Sequence, residues 1–569
     1  MGRTPHPAPL RDQLGRGRAP GRADHRRAAR PRPRVAGAPP GLHRRPHRLH
    51  LARRRREPAQ HGAALGPLRD PPRDRRDLMD WLPDWAPSIT APALALLVVD
   101  LVVRLTAIAV VPVNRRPSSA LAWLLAIFFI PYLGVLAFLL IGNPKLPRAR
   151  RRKQREINEL ILSSTKGMDL VSSDHPWPPW LSGVVELNRT LGSMPLVGGN
   201  QARLEGEYDE AIRAMARTVD GAREYVHVEF YIMTRDPTSE PFFAALERAV
   251  ERGVKVRLLL DHLGSLRYPG YRRTIRSLDD MGVEWHPMLP VQLHRLKYQR
   301  PDLRNHRKLL VVDGEVAWLG SQNVLDRSYN KRSNVRRGLQ WQDLMVRLEG
   351  PVVAGVEAMF ITDWYSETDE LLQTERPEVS PVGSPGRLEC QVVPSGPGFD
   401  GENNLKLFNS LLYAAQRRIS ITSPYFVPDE SMLSAITTAA ERGVDVELFV
   451  SEYGDQFFVH YAECSYYEDL LRAGVRIHRY PAPYVLHAKH MTIDDEVAVI
   501  GSSNMDMRSF LLDLELTLMV CGREFADDLR RVEDEYRAKC TELTLEQWLA
   551  RPRWQVIKEN LSRLTSALQ

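Results

Sequence analysis

The 569-residue chain has only four cysteines, and no two of them are spaced as Cys-x-x-Cys. This excludes the common zinc modules, and four isolated cysteines give no sign of a disulfide framework. Lysine is also scarce, with 11 residues against 67 arginines. Because the chain otherwise uses arginine for positive charge, a lysine that recurs in a motif is informative about chemistry.

Residues 1–78 contain no Phe, Trp or Tyr, but they hold 21 arginines and 13 prolines. So little apolar surface cannot offset chain entropy, which predicts a disordered leader, and no apolar run is long enough for a signal peptide. We expect Met79 to be the true start. The leader's net charge of +15 leaves −7 on residues 79–569, although the whole chain carries +8. The basic balance therefore does not indicate a nucleic-acid partner.

Two apolar segments, 89–113 and 120–141, lie within residues 79–145, and the second has no charged residue. Each is long enough to cross a hydrocarbon core of ~30 Å as a helix. The short link predicts an antiparallel two-helix transmembrane hairpin, with Asp100 and Arg104 paired on one helix face. Six basic residues between 148 and 155 outnumber the two arginines of the link. The positive-inside rule then predicts a multi-pass cell-membrane protein with everything downstream in the cytoplasm.

A strand-then-helix pattern occurs twice after a basic, Pro- and Trp-rich connector at 146–194. The run Glu251-Arg-Gly-Val-Lys-Val, for example, returns as Glu441-Arg-Gly-Val-Asp-Val. The duplication predicts an α/β fold with two similar lobes, each a mixed sheet flanked by helices, at 195–385 and 386–550 and related by a pseudo-two-fold axis. Residues 551–569 form a tail. Ligands tend to bind at such an interface.

Both copies carry one polar motif at identical spacing. Its members are His306, Lys308, Asp313 and Asn323 in the first copy and His487, Lys489, Asp494 and Asn504 in the second. Either copy alone would be interpreted as a solvated strand edge followed by a turn. We estimate about 0.02 chance occurrences of one His-x-Lys-x4-Asp in this composition, so the repetition indicates function.

The spacing predicts a chemistry. On a strand, a histidine and a lysine two residues apart point to the same face, and a two-fold axis brings both pairs to one pocket. Such a pocket suits a phosphodiester, because one neutral imidazole attacks phosphorus while the other, protonated, gives its proton to the departing alcohol. The lysines, with the amides of Asn323 and Asn504, would hold the phosphate oxygens, so the motif requires no metal and no other cofactor.

A nucleophilic imidazole needs a hydrogen-bond partner on its second ring nitrogen. Asp343 and Glu515 are candidates, because each stands seven residues before a glycine that closes a Val/Leu-rich strand. Asp313 and Asp494 are ambiguous, since an aspartate before Gly or Asp is often a turn residue. A catalytic and a structural role for these two both stay open.

Residues 306–328 and 487–509 resemble the paired His-x-Lys-x4-Asp signatures of the phospholipase D superfamily. Residues from about 89 to 550 resemble, more narrowly, its bacterial cardiolipin synthases. The narrower resemblance rests on the amino-terminal anchor with Arg115-Arg-Pro-Ser118, on Asn305-His-Arg-Lys308, on Pro424-Tyr-Phe-Val-Pro-Asp429 and on Ser465-Tyr466.

The resemblance implies a membrane enzyme whose partner is an anionic phospholipid. Such an enzyme transfers a phosphatidyl group from one phosphatidylglycerol to the terminal hydroxyl of another and releases glycerol. The resemblance also implies that His306 is the nucleophile, that His487 is the general acid and base, and that Asp343 and Glu515 orient the two histidines.

One departure from the family pattern is an insertion of about nine residues before Asp343, with four basic residues between Lys331 and Arg337. It would steer a second anionic headgroup or form a mobile solvated loop.

A hydrolytic phospholipase D, or a transferase using another acceptor alcohol, stays open. The acidic body and the apolar segments disfavour a nuclease. Two complete motifs disfavour a non-catalytic scaffold.

Overall fold

The computed structural model describes residues 91–113, 115–143, 145–166, 177–291, 299–372, 386–399 and 401–565. The predicted leader at 1–78 lies outside these ranges. The helices are α1 (Ala91–Val110), α2 (Pro117–Phe129), α3 (Pro131–Ile141), α4 (Arg148–Ser164), α5 (Leu181–Gly192), α6 (Tyr208–Asp220), α7 (Glu240–Glu251), α8 (His262–Leu266), α9 (Tyr271–Met281), α10 (Arg332–Arg337), α11 (Val352–Thr368), α12 (Asn403–Ala414), α13 (Glu430–Glu441), α14 (Phe457–Cys464), α15 (Tyr467–Ala473), α16 (Met507–Leu511), α17 (Arg523–Lys539), α18 (Leu545–Leu549) and α19 (Arg553–Arg563).

The strands are β1 (Leu196–Glu205), β2 (Tyr225–Phe230), β3 (Lys255–Asp261), β4 (Glu284–Met288), β5 (Arg304–Asn305), β6 (Lys308–Val312), β7 (Val316–Gly320), β8 (Gln340–Gln342), β9 (Met345–Glu349), β10 (Leu388–Ser395), β11 (Arg418–Thr422), β12 (Phe426–Val427), β13 (Asp445–Ser451), β14 (Arg476–Tyr480), β15 (Tyr484–Leu486), β16 (His490–Ile493), β17 (Val497–Gly501), β18 (Met505–Asp506), β19 (Asp513–Cys521) and β20 (Thr541–Leu543).

One mixed sheet runs through both lobes in the order β20-β14-β13-β11-β16-β17-β19-β10-β1-β9-β7-β6-β2-β3-β4. The order is symmetric about the antiparallel pair of β1 and β10. On each side, a parallel pair linked by a helix lies next to an antiparallel hairpin: β2–β3 with β6–β7, and β11–β13 with β16–β17. The two-lobe α/β architecture predicted from the duplication is confirmed.

A hydrophobic core crosses the boundary between the lobes. It joins Val356 and Phe360 of α11 to Leu514 and Leu516 of β19, and all four side chains are buried. Protein interiors pack at the density of organic crystals and resist deformation. The shared core therefore fixes one lobe relative to the other, so a site between them is held in one geometry.

Two short strands cross between the lobes. β5 of the first lobe runs parallel to the start of β19, with Arg304 opposite Asp513. β15 of the second lobe runs parallel to β8, with Leu486 opposite Gln342. Each crossing strand leads directly into a motif histidine, so both histidines lie at the lobe boundary.

The amino-terminal helices differ from the prediction. Among the described residues, only α1 is long and apolar enough to cross a membrane, and its Asp100–Arg104 pair forms at 2.6 Å. The second predicted span, 120–141, is not one helix. It is divided into α2 and α3 at Ile130, because Pro131 has no amide hydrogen and its ring prevents the helix from continuing.

Candidate active site

A backbone hydrogen bond to the opposite lobe positions each of the two histidines. The His306 amide donates to the carbonyl of Leu514 at 2.8 Å, and the His487 amide donates to the carbonyl of Gln342 at 2.7 Å. In both cases the acceptor carbonyl belongs to the residue directly before the candidate carboxylate of the opposite lobe: Leu514 precedes Glu515, and Gln342 precedes Asp343. Each histidine is therefore aligned with an acid from the other copy.

The side chains pair in the same crossed way. Nδ1 of His306 lies 2.9 Å from Oε1 of Glu515, and Nδ1 of His487 lies 2.6 Å from Oδ1 of Asp343. All four residues are at most 8% exposed. A carboxylate on Nδ1 selects the tautomer with the proton on that nitrogen, which leaves the Nε2 lone pair free for chemistry.

Serine hydroxyls hold the two carboxylates, and the sequence reasoning did not single them out. Ser321 donates to Asp343 at 2.7 Å, while Ser502 and Ser509 donate to the two oxygens of Glu515 at 2.5 and 2.7 Å. Ser321 and Ser502 also accept the amides of Leu344 and Leu516. A Gly-Ser pair stands at 320–321 and again at 501–502, at the same distance from each motif histidine, and this repetition was the signal that could have found the two serines.

The motif lysines lie beside the histidines. Nζ of Lys308 donates to the His306 carbonyl at 2.5 Å, and Nζ of Lys489 donates to the His487 carbonyl at 2.6 Å. Burial lowers the pKa of Lys308 to about 8 and that of Lys489 to about 7. A bound phosphate would favour the charged form of both.

Asn323 and Asn504 are both buried, but they differ in their contacts. The Asn323 side chain accepts the Ile232 amide and donates to the Tyr329 hydroxyl at 2.9 Å. The Asn504 backbone amide donates to Ser509. For Asn323 to bind phosphate, its side-chain amide must therefore first break its hydrogen bond to the Tyr329 hydroxyl.

The carboxylates of Asp313 and Asp494, the two candidates whose role the spacing left open, are bound by backbone amides. The Asp313 carboxylate accepts the backbone amides of residues 223, 224 and 225 at 2.8–2.9 Å, and Asp494 accepts those of residues 416, 417 and 418 at 2.7–2.9 Å. Both follow the strand that begins beside the motif lysine. Asp313 is separated from Lys308 by the length of β6, roughly 16 Å. Both have φ near +50°, as turn residues do.

The two carboxylates differ in their acidity. Burial would raise the pKa of Asp343, but His487, Lys489 and Ser321 together bring it below its usual 3.8. Burial of Glu515 prevails over Lys308 and its two serines and raises the pKa of that carboxyl to about 7. The first acid is firmly ionised, whereas the second is close to half protonated near neutral pH.

The two imidazoles are both neutral in the resting site. Burial and the adjacent Lys308 lower the pKa of His306 well below 6.5. Burial and Lys489 lower the pKa of His487 to about 4, against the opposing charge of Asp343. Within the described ranges, no group of three or more His, Cys, Asp or Glu residues is arranged to hold a metal ion.

Other residues around the site were missed because no spacing marks them. The ring of Tyr231 meets His306 edge-on with centroids 5.0 Å apart. Arg307 is fully buried, pairs with Asp363 of α11 and donates through Nε to the Glu515 carbonyl at 3.2 Å. The matching position in the second motif is Ala488, so only the first copy has this support.

Comparison with known proteins gives independent findings. A family model described as "Cardiolipin synthase, PLD-like domain" matches residues 215–364 and 408–535. A second, described as "Phospholipase_D-nuclease N-terminal", matches residues 96–143. Cardiolipin synthase A of Pectobacterium carotovorum is 34% identical over 475 residues, covering 80% of this chain and 94% of its own length. Cardiolipin synthase A of Klebsiella pneumoniae is 34% identical over 467 residues with the same coverage.

A solved structure with the same fold is the phosphatidylserine synthase of Haemophilus influenzae, with a TM-score of 0.51 and 16% sequence identity. The match covers 68% of this chain and 99% of that one. At this identity the likeness concerns the fold alone.

Proposed function

The chain belongs to the cardiolipin synthase family of the phospholipase D superfamily, and on that premise we propose that it transfers a phosphatidyl group between two phosphatidylglycerol molecules. The products are cardiolipin and glycerol. The observation that carries the proposal is the crossed arrangement of two buried imidazoles, each with its Nδ1 on a carboxylate of the other lobe and a lysine alongside. This arrangement suits covalent transfer at phosphorus.

When the anionic phosphate binds, it raises the pKa of His487, which takes up a proton from solvent at Nε2. In the first half of the reaction, Nε2 of His306 then attacks the phosphorus of one phosphatidylglycerol. The bond from phosphorus to the glycerol oxygen breaks, and His487 gives its proton to that oxygen. Glycerol leaves and a phosphatidyl group remains on His306. In the second half, His487 takes the proton from the hydroxyl of another phosphatidylglycerol, whose oxygen attacks phosphorus and releases His306.

The difference between the carboxylates supports this division of roles. Asp343 is ionised and lies against His487, so it favours a proton on that imidazole. Glu515 has a pKa near 7 and gives His306 less stabilisation as an imidazolium. A bound anionic phosphate raises the pKa of both neighbouring histidines, and the histidine whose carboxylate partner is fully ionised binds the proton. That histidine is His487.

The lysines stabilise the charge that builds on the phosphate oxygens. Lys308 and Lys489 are buried, so their ammonium groups act in a medium of low dielectric where the attraction is stronger than in water. They also lie on both lobes, which surrounds the phosphorus with positive charge.

We also propose that the apolar amino-terminal helices hold the enzyme in the cytoplasmic membrane, with the lobes on the cytoplasmic side. The 20 residues of α1 are apolar except for the Asp100–Arg104 pair and one threonine, and the basic helix α4 follows the apolar segment. Positive residues next to a membrane segment favour the cytoplasmic side. An enzyme fixed to the bilayer meets lipid hydroxyls at high local concentration, which favours transfer over hydrolysis.

The test is to incubate detergent-solubilised protein with phosphatidylglycerol as the only lipid and to identify the products by mass spectrometry. Cardiolipin with an equal amount of glycerol is the expected result. Phosphatidic acid without cardiolipin would instead identify a hydrolase. A new phosphatidyl ester formed only when serine or ethanolamine is added would identify another acceptor. The His306→Ala variant, prepared in the same way, controls for contaminating enzymes.

A further inference from the structure

The apolar segment after α1 folds back on itself within a few residues. α2 and α3 are joined only by Ile130, and Trp123 packs edge-on against Phe138 with ring centroids 5.5 Å apart. Gly134 lies so close to α2 that a Cβ there would be 2.6 Å from the carbonyl oxygen of Ala126. These contacts pair residues on either side of the turn, so the two helices are antiparallel.

Both ends of this α2–α3 hairpin lie against the catalytic lobes. At its start, Arg116 forms ion pairs with Glu402 at 2.6 Å and with Asp429 at 3.6 Å. Just past its end, the Leu146 amide donates to the Pro397 carbonyl at 3.3 Å. The two ends also touch each other, since Arg115 donates to the carbonyl of Gly142.

Neither helix of the hairpin is long enough to cross a bilayer. At 1.5 Å per residue, the 13 residues of α2 span about 20 Å and the 11 residues of α3 about 16 Å. The hydrocarbon core is ~30 Å thick, and apolar segments of this length are typical of re-entrant elements. α1, with 20 residues, reaches about 30 Å.

The surface of the hairpin nevertheless fits hydrocarbon. No charged residue occurs between Pro117 and Ile141. The side chains around the turn are apolar and open, with Phe129 exposed by 81%, Leu133 by 62% and Ile130 by 57%. Apolar area of this kind at the end farthest from the lobes is costly in water and favourable among acyl chains.

The geometry points to a re-entrant membrane hairpin: α2 and α3 enter only the leaflet next to the catalytic lobes, and α1 alone crosses the bilayer. The occupant of this surface is the acyl-chain layer of that leaflet. A two-span hairpin would put Arg116 across the membrane from Glu402 and Asp429, which its ion pairs exclude. The amino end of α1 then lies on the side opposite the lobes.

Charge distribution agrees with this route. Arg115 and Arg116 come to the same side as the basic helix α4, so the arginines that flank the membrane segments gather on one face. Such one-sided clustering is what the positive-inside rule requires. The inference depends on membrane attachment through these helices and not on the reaction proposed above.

The inference is tested by cysteine labelling of the full chain in a bacterial inner membrane. Cys390, Cys464 and Cys521 are buried, so a Cys540→Ser background leaves little native reactivity. Three variants each carry one exposed cysteine in this background: Ala91→Cys at the amino end of α1, Ser118→Cys at the start of α2, and Ser434→Cys on the second lobe as the reference. A membrane-impermeant maleimide is applied to spheroplasts and to inverted vesicles.

The expected result is that positions 118 and 434 react from one side and position 91 from the other. A two-span hairpin would overturn the inference by labelling 91 with 434 and 118 from the opposite side. Labelling of all three from one side would overturn it too, because no helix would then cross. The readout does not depend on activity, so a failure here and a failure of the proposed reaction are distinguishable.

A second measurement concerns depth. A spin label on Ile130→Cys is expected near the bilayer centre, with high collision frequency with oxygen and low frequency with a polar nickel complex. High exposure to the nickel complex would show that the turn reaches water, which would contradict a re-entrant hairpin.

Discussion

The two halves of the active site share one plan and differ in electrostatics. Each has a histidine, a lysine and a serine-supported carboxylate taken from the other lobe. The half with His487 has an ionised aspartate, whereas the half with His306 has a glutamate whose pKa is about 7. Duplicated sequence thus produces two imidazoles with unequal affinity for a proton, which is what a nucleophile and a general acid need.

The largest expected effect is loss of either histidine. His306→Ala removes the nucleophile and is expected to lower transfer by at least about 10⁴-fold. His487→Ala removes the acid and base and is expected to cost roughly 10²–10⁴-fold. Activity is measured as cardiolipin formed from phosphatidylglycerol.

Trapping the covalent intermediate shows which of the two histidines is the nucleophile. Acid-free denaturation during turnover, followed by peptide mass spectrometry, should find the phosphatidyl group on His306. In the His487→Ala variant the label should persist longer, because the second half-reaction lacks its base. Label found only on His487 would reverse the two roles.

The next effect concerns the carboxylates. Asp343→Asn removes a full charge from His487 and is expected to lower kcat by roughly 10³–10⁴-fold at pH 7. Glu515→Gln removes a charge that is only partly present and is expected to cost roughly 10–10²-fold. The charge-retaining variants Asp343→Glu and Glu515→Asp serve as matched controls. Equal losses in the two neutral variants would show that the difference in acidity does not matter to the reaction.

Repetition made the site readable from the sequence. The spacing of His-x-Lys-x4-Asp predicted both histidines and both lysines, and the place of Asp343 and Glu515 before a strand-closing glycine predicted the two carboxylates. The strand-helix pattern identified the lobes, because local periodicity determines which residues share a face. The predicted family is confirmed. For Asp313 and Asp494, spacing alone left the role open, since a conformation with positive φ becomes visible only in the fold.

The contacts between the two lobes could not be predicted from the sequence. Spacing constrains residues within one copy, whereas the pairing of His306 with Glu515 depends on β5 crossing to β19, 209 residues away. The predicted two-span hairpin is not confirmed, for another reason. Hydropathy counts apolar residues over 120–141 and gives no weight to Pro131, although a proline after Ile130 breaks the helix there.

A smaller effect is expected on raising the pH. Lys489 and Lys308 have pKa values of about 7 and 8, so they lose their protons as the pH rises through this range and hold the anionic headgroup less well. The apparent KM for phosphatidylglycerol should rise by up to about tenfold per pH unit above pH 8. Neutral His306 persists well below pH 6.5, so no matching loss is expected just below neutrality.

The pH profile is measured from pH 6 to 9.5 in mixed micelles of fixed composition. In Lys489→Met the lower of the two breaks should disappear, while the one near pH 8 remains. A KM that stays constant up to pH 9.5 in the wild type would contradict a role for these lysines in binding.

The smallest effect is expected in the insertion, which has no counterpart in the second copy. Part of it forms α10, and it lies over aromatic rings of both lobes: Arg337 is 4.2 Å from the ring of Tyr453, and Lys331 is 4.8 Å from that of Tyr268. Tyr329, at its start, has its ring 6.3 Å from that of His487. The insertion is thus packed beside the ring of His487, where its basic residues would attract an anionic headgroup.

Reversing both charges with Arg336→Glu and Arg337→Glu should raise the apparent KM severalfold at low salt and leave kcat unchanged, because exposed charges act on encounter. About 0.5 M NaCl should remove the difference by screening. Arg523→Glu with Arg531→Glu on α17 is the matched control for net charge. If the control raises KM equally, the effect belongs to overall charge; if neither pair changes KM, the insertion does not steer substrate. A selective effect would make the two halves unequal in substrate capture as well as in proton affinity.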